Sequence, residues 1–167
     1  MDVTVAPAER QHVDGICRVC AEGWRETYVG ILPDEEIEAT IEEFYIPERV
    51  AQEVCSPEGW DGWLVAFDDE KVVGAGGGGG LTEPNVGEVF VLYVDPPEKR
   101  RGIGTRLLEA ITQQQREQDA TEQWVSIVHD NKIGKSFYQK HGFETVGERE
   151  AYGDASDRNS LRLKRFV

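Results

Sequence analysis

VLYVDPPEKRRGIGTRLLEAI, residues 91–111, sets the architecture of the chain. Its first four residues close a longer run, EVFVLYV from Glu88 to Val94, that is almost wholly β-branched, aromatic or aliphatic. Such a composition predicts a strand buried on both faces. Asp95-Pro96-Pro97 ends it, because proline has no amide hydrogen to give to a ladder. A basic turn follows, Lys99-Arg100-Arg101-Gly102-Ile103-Gly104. Ile103, Leu107, Ala110 and Ile111 then recur at helical spacing, which predicts a helix to about residue 118.

A strand that runs through such a turn straight into a helix has a chemical consequence. The first amides of a helix lack intrahelical partners, and the macrodipole makes that end positive. Gly102 and Gly104 remove side chains that would block approach, while Lys99, Arg100 and Arg101 stand beside the opening. The segment therefore predicts a cradle for a diphosphate. It is not the dinucleotide fingerprint, since Thr105-Arg106-Leu107 supplies no third glycine. Gly-x-Gly alone would equally suit an ordinary strand-to-helix turn.

Working outward, Val3-Thr4-Val5 reads as a short strand. Residues 8–23 read as a helix with Val13, Ile16, Cys17 and Cys20 on one face. Pro33 and the acids Asp34, Glu35 and Glu36 open a second helix carrying Ile37, Ile41, Phe44 and Tyr45, and residues 47–55 form a third. The period then changes. Residues 63–67 and 71–75 read as strands joined by Asp68-Asp69-Glu70 into a hairpin. The five glycines from Gly76 to Gly80 read as a mobile loop or bulged strand end, or as backbone left bare for a ligand. They lack the Gly-Lys-Ser/Thr ending of a nucleotide phosphate loop. On the other side, residues 124–128 form a strand, and Asn131 opens a helix to about His141 that Gly142 stops. Residues 143–146 and 161–166 are the last strands. Strands alternating with helices predict parallel pairing in the second half, and hairpins predict antiparallel pairing elsewhere, so the fold class is a mixed α/β sheet.

A length of 167 residues suits one domain, residues 1–167, with no linker and no repeat. The formal charge of −14 disfavours nucleic acid as a partner. No apolar run approaches a membrane span, and Met1-Asp2-Val3-Thr4 has neither the basic start nor the apolar stretch of a secretory signal, so a cytoplasmic protein without membrane contact is expected. Cys17, Cys20 and Cys55 are too few for a disulfide framework, and Cys17 and Cys20 read as core residues rather than metal ligands; no metal is expected. Many carboxylates with only 6 Lys among the bases fit adaptation to high salt, and they also fit an acidic trough that attracts a cationic substrate.

A second constellation lies farther along. Asn131 and Tyr138 are seven residues apart, close to two helical turns, so their side chains point the same way. His141-Gly142-Phe143 follows. The turn from Lys99 to Thr105, with the strand before it and NKIGKSFYQKHGF after it, resembles the GNAT N-acetyltransferase superfamily. That family's turn reads Gln/Arg-x-x-Gly-x-Gly/Ala, and Lys99 departs from it while keeping the charge. The match covers residues 86–146, and the strand, two helices and hairpin before it also fit.

The resemblance implies a mostly antiparallel sheet whose parallel central pair splays apart to admit acetyl-CoA. It implies that Arg100, Arg101, Gly102, Ile103, Gly104 and Thr105 hold the pyrophosphate, with Lys99 beside them. It further implies that the backbone of Leu92, Tyr93 and Val94 pairs with pantetheine, that Asn131 bonds it, and that Tyr138 protonates the departing thiolate. Glu88, acting through water, is the first candidate for general base; Glu42, Glu43, Tyr45 and His129 are others. The ribosomal-protein alanine acetyltransferases of this superfamily carry a Glu five residues before the Asn, where this chain has Ser126. The segment WRETYVGILPDEE, residues 24–36, resembles the substrate side of small-amine and peptide acetyltransferases, and AYGDASDRNSLRLKRF resembles spermidine/spermine-type members. The expected acceptor is a polyamine-like or other small cationic amine, with peptide or protein amines as the rival. A non-catalytic acetyl-CoA sensor and a dehydrogenase-like nucleotide domain are the readings from other classes. Exposed sheet edges are compatible with a homodimer.

Overall fold

In the computed structural model, which describes residues 2–80, 83–150 and 159–167, the run ending at Val94 is the middle strand of a seven-stranded sheet. In chain order the elements are β1 (Val3–Pro7), α1 (Val13–Tyr28), α2 (Asp34–Phe44), α3 (Pro47–Cys55), β2 (Leu64–Asp68), β3 (Lys71–Gly80), β4 (Val86–Val94), α4 (Ile103–Glu117), β5 (Glu122–Val128), α5 (Lys132–Lys140), β6 (Glu144–Glu150) and β7 (Asn159–Phe166). The sheet order is β1-β2-β3-β4-β5-β7-β6. Among the described strands only β4 and β5 pair in parallel, as the family resemblance implies; β5, β7 and β6 are antiparallel, so the parallel pairing expected from alternation in the second half is confined to this one pair.

Side chains alternate across the sheet and so divide into two cores. Leu64, Ala66, Val73, Val89, Val125 and Ile127 face Ile103, Leu107, Leu108 and Ile111 of α4. Val65, Val72 and Ala75 face Val13, Ile16, Val19 and Cys20 of α1, with Val50 of α3. Cys20 is thus a core residue, and burial pushes the neighbouring Cys17 thiol up to about 11. Among the described residues no helix is long and apolar enough to cross a membrane, and no three His, Cys, Asp or Glu side chains are grouped to hold a metal ion.

One expectation needs correction, and one open reading is decided. The first helix is displaced: a 3-10 turn at Arg10–His12, closed by reciprocal bonds between Glu9 and His12, delays α1 to Val13, and the helix continues to Tyr28. The five glycines meet the reading of a bulged strand end, with the register shifting between Gly77 and Gly78, and not that of a loop. They are the second half of β3, whose side-chain space is taken by neighbours. A Cβ at Gly77 would lie 2.7 Å from the Trp60 ring, and one at Gly78 would lie 2.2 Å from Glu88 O and 2.8 Å from Gln115 Nε2. Bare backbone here lets Trp60 close on one face and Gln115 of α4 reach the other.

Candidate active site

β4 and β5 stay paired only from Val86↔Glu122 to Val89↔Val125. There β4 bulges: Val89 opposes Gly78 and Val91 opposes Gly77, so Phe90 is an extra residue. β5 continues alongside β7 through Val128, and beyond Val89 the two parallel strands part. The burial expected on both faces of β4 therefore holds for Glu88 and Val89 and fails afterwards. Phe90 is 44% exposed, and Leu92, Tyr93 and Val94 are half-buried along an open edge. Amides alternate sides along a strand. Asp95 N–H bonds Val73 O on β3 at 2.9 Å, so the Val94 N–H is directed to the open side.

The turn beyond β4 is anchored from below. Asp95 is 1% exposed and takes Arg18 Nη1 at 3.0 Å, while Arg18 Nη2 bonds Val72 O at 2.7 Å. Arg100 (φ 69°) and Gly102 (φ 77°) both take left-handed backbone, which curls the chain onto the start of α4. The first backward bond of the helix is Arg106 N–H to Gly102 O, 3.1 Å. The amides before it stand at the helix mouth without an intrahelical acceptor. Lys99 pairs with Glu26 at 3.0 Å and Arg101 with Glu98, which fixes their stems around that mouth. A Cβ at Gly104 would meet the Phe137 ring of α5 at 3.2 Å, and Thr105 Oγ1 lies 3.1 Å from His141 Nε2. The donor set of amides, glycines and guanidinium groups suits a diphosphate.

Three phenols stand near one another, Tyr28 beside Tyr93 and Tyr138. Asn131 caps α5 by accepting from Gly134 N–H at 2.9 Å. Tyr138, two turns on, is buried, and burial, with a smaller effect of Tyr28, pushes its phenol well above the ordinary tyrosine range. Burial also raises Tyr28, while hydrogen bonding with Tyr93 and Asn131 opposes that rise. Tyr93 is raised by burial and by Tyr28 and Tyr45. Tyr28 thus links α1, β4 and α5 at the opening. The sequence reading missed it, because an aromatic residue ending an amphipathic helix gives no sign of what it meets.

Glu88 is not an exposed strand-end acid. It is 3% exposed and takes Arg162 Nη1 at 2.7 Å. The same Nη1 bonds Ser126 Oγ at 2.7 Å, and the guanidinium lies over the Trp124 ring at 4.7 Å. Arg162 therefore clasps β4 to β5 where they begin to part. Of the other candidate bases, Glu42 and Glu43 are exposed on α2. The Tyr45 hydroxyl accepts from Trp24 Nε1 at 3.2 Å. His129 is paired with Glu148 at 2.9 Å. Residues 151–158 of the C-terminal segment lie outside the described residues.

Residues 21–143 match the acetyltransferase (GNAT) family. The chain belongs to this family. A spermidine N(1)-acetyltransferase of Thermoplasma acidophilum is 25% identical over 154 residues, 86% of this chain and 89% of that one. The crystal structure of PaiA N-acetyltransferase from Thermoplasma acidophilum, in complex with coenzyme A, superposes over 100% of both chains with a TM-score of 0.85 at 25% identity. Ard1 from Thermoplasma volcanium shares the fold, with a TM-score of 0.69 at 20% identity over 100% of this chain and 99% of that one. The GNAT assignment makes the protein an N-acetyltransferase with acetyl-CoA as its co-substrate, in line with the family resemblance of the turn and the Asn131/Tyr138 pair.

Proposed function

We propose that this GNAT enzyme transfers the acetyl group directly to a primary amine in a ternary complex, and that the acceptor is a small cationic amine of the polyamine kind. The observation that carries the reaction is the parting of β4 and β5 beside the α4 mouth, with Tyr138 of α5 buried near Tyr28. The acceptor class rests on the spermidine-acetylating relative, together with the charge of −14.

Acetyl-CoA brings the thioester; the chain supplies position and protons. The amides and bases from Arg100 to Thr105, with Lys99, hold the diphosphate. The backbone of Leu92, Tyr93 and Val94 lines the pantetheine as a neighbouring strand would, and Asn131 bonds it. The Val94 N–H stabilises charge developing on the carbonyl oxygen, worth roughly 3 kcal/mol in comparable sites. A free alkyl amine has a pKa near ~10.4 and arrives charged, so it must lose a proton, which Glu88 takes through a water. Tyr138 gives its proton to the departing sulfur and regains one from the amine nitrogen, which sheds its second proton as the adduct collapses.

A screen of spermidine, spermine, short monoamines and peptides with free N-termini, read by release of free thiol at low and high salt, tests this. The polyamines should give the highest kcat/KM. Peptides exceeding them tenfold would overturn the acceptor class, and thiol release with none of the amines would overturn the reaction.

A further inference from the structure

α5 turns two side chains, one helical turn apart, toward the first turn of α4: Phe137 to Gly104 and His141 to Thr105. The His141 end is held firmly. Its carbonyl accepts from Arg165 Nη1 at 2.8 Å, and its ring lies 4.8 Å from that of Phe137. Arg165 in turn bonds Gln123 Oε1 at 2.8 Å and Thr112 Oγ1 at 2.9 Å, so β7, β5 and α4 together hold the His141 backbone.

The 3.1 Å contact between His141 Nε2 and Thr105 Oγ1 can run in two directions. With a bare Nε2, the threonine hydroxyl donates to the ring and shows only lone pairs to an anion. With a proton on Nε2, as in the neutral Nε2–H tautomer or the imidazolium, the ring donates and the hydroxyl hydrogen is free to point at the helix mouth; the imidazolium alone adds a charge that arriving phosphates favour. We propose that His141 is a positioning residue for the cofactor: it turns the Thr105 hydroxyl toward the diphosphate and takes up a proton from solvent as the phosphates bind. This rests on the placement of the diphosphate at the α4 mouth. The charged neighbours are opposed. Burial, Arg165 and Lys140 hold the free imidazole below its ordinary range, while Glu109 on α4 works the other way. Arriving phosphates reverse the balance. Since the bound imidazole then titrates higher than the free one, affinity grows as pH falls through the bound value and levels off below the free value.

Calorimetry with 3′-dephospho-CoA, which lacks the titrating phosphomonoester, tests this in two buffers of different ionisation enthalpy between pH 5.5 and 8. Wild-type protein should take up a fraction of a proton per site and bind several-fold more tightly at the acid end. H141Q, whose amide donates to Thr105 at every pH but takes up no proton, should show neither proton uptake nor the pH trend. Wild-type binding without proton uptake, or equal uptake in H141Q, would overturn the proposal. Failure of wild type to bind at all would instead count against the placement of the diphosphate.

Discussion

In the proposed reaction Tyr138 and Glu88 divide the proton chemistry between them, and their surroundings differ. Tyr138 is buried against Phe137 and Phe143, so Tyr138→Phe removes one hydroxyl and little else. Its kcat should fall by about 10²–10⁴-fold while CoA affinity stays within about twofold; stopped-flow thiol release with parallel calorimetry separates the two. Glu88 is entangled with structure. Glu88→Gln leaves the Arg162 guanidinium short of its carboxylate inside the protein and should cost about 3 kcal/mol in a denaturant melt. E88Q combined with Arg162→Met should recover most of that loss yet remain about 10²-fold slow. Recovery of rate together with stability would leave Glu88 a purely structural acid. Sequence could name both residues because family spacing places them. It could not show the clasp, because Arg162 lies 74 positions from Glu88 and meets it only through the β4-β5-β7 strand order.

At the scale of elements, β3 shows where local reasoning runs out. Glycine has poor strand propensity, and five in a row contradict a central strand unless neighbours need the space. That need is tertiary: Trp60 arrives from the segment after α3, and Gln115 arrives from α4. Gly78→Ala should therefore cost about 1–3 kcal/mol in an unfolding titration, because its methyl would press on Glu88 O. Gly80→Ala, whose nearest neighbour would be Val86 O at 4.0 Å, should be neutral or slightly stabilising. Equal effects at the two sites would contradict this reading of the strand. β4, α4 and α5 were legible because each combines a periodic apolar pattern with its own stop signal: Pro96 after β4, Gly102 before α4, and Gly142 after α5.

Across the whole molecule, one bulge and one strand exchange make the site. Phe90 adds a residue to β4 just where pairing with β5 stops, and β5 stays with β7 while β4 leads on to the α4 mouth. The resemblance of residues 86–146 anticipated the parted pair; the alternation of strands and helices by itself gave the parallel pairing but not its early end. The most direct test is a crystal structure of the protein with coenzyme A. Diphosphate oxygens should lie about 3 Å from backbone nitrogens between Arg100 and Thr105, with the pantetheine arm alongside Leu92 to Val94. Phosphates bound elsewhere, with those amides facing only water, would contradict it.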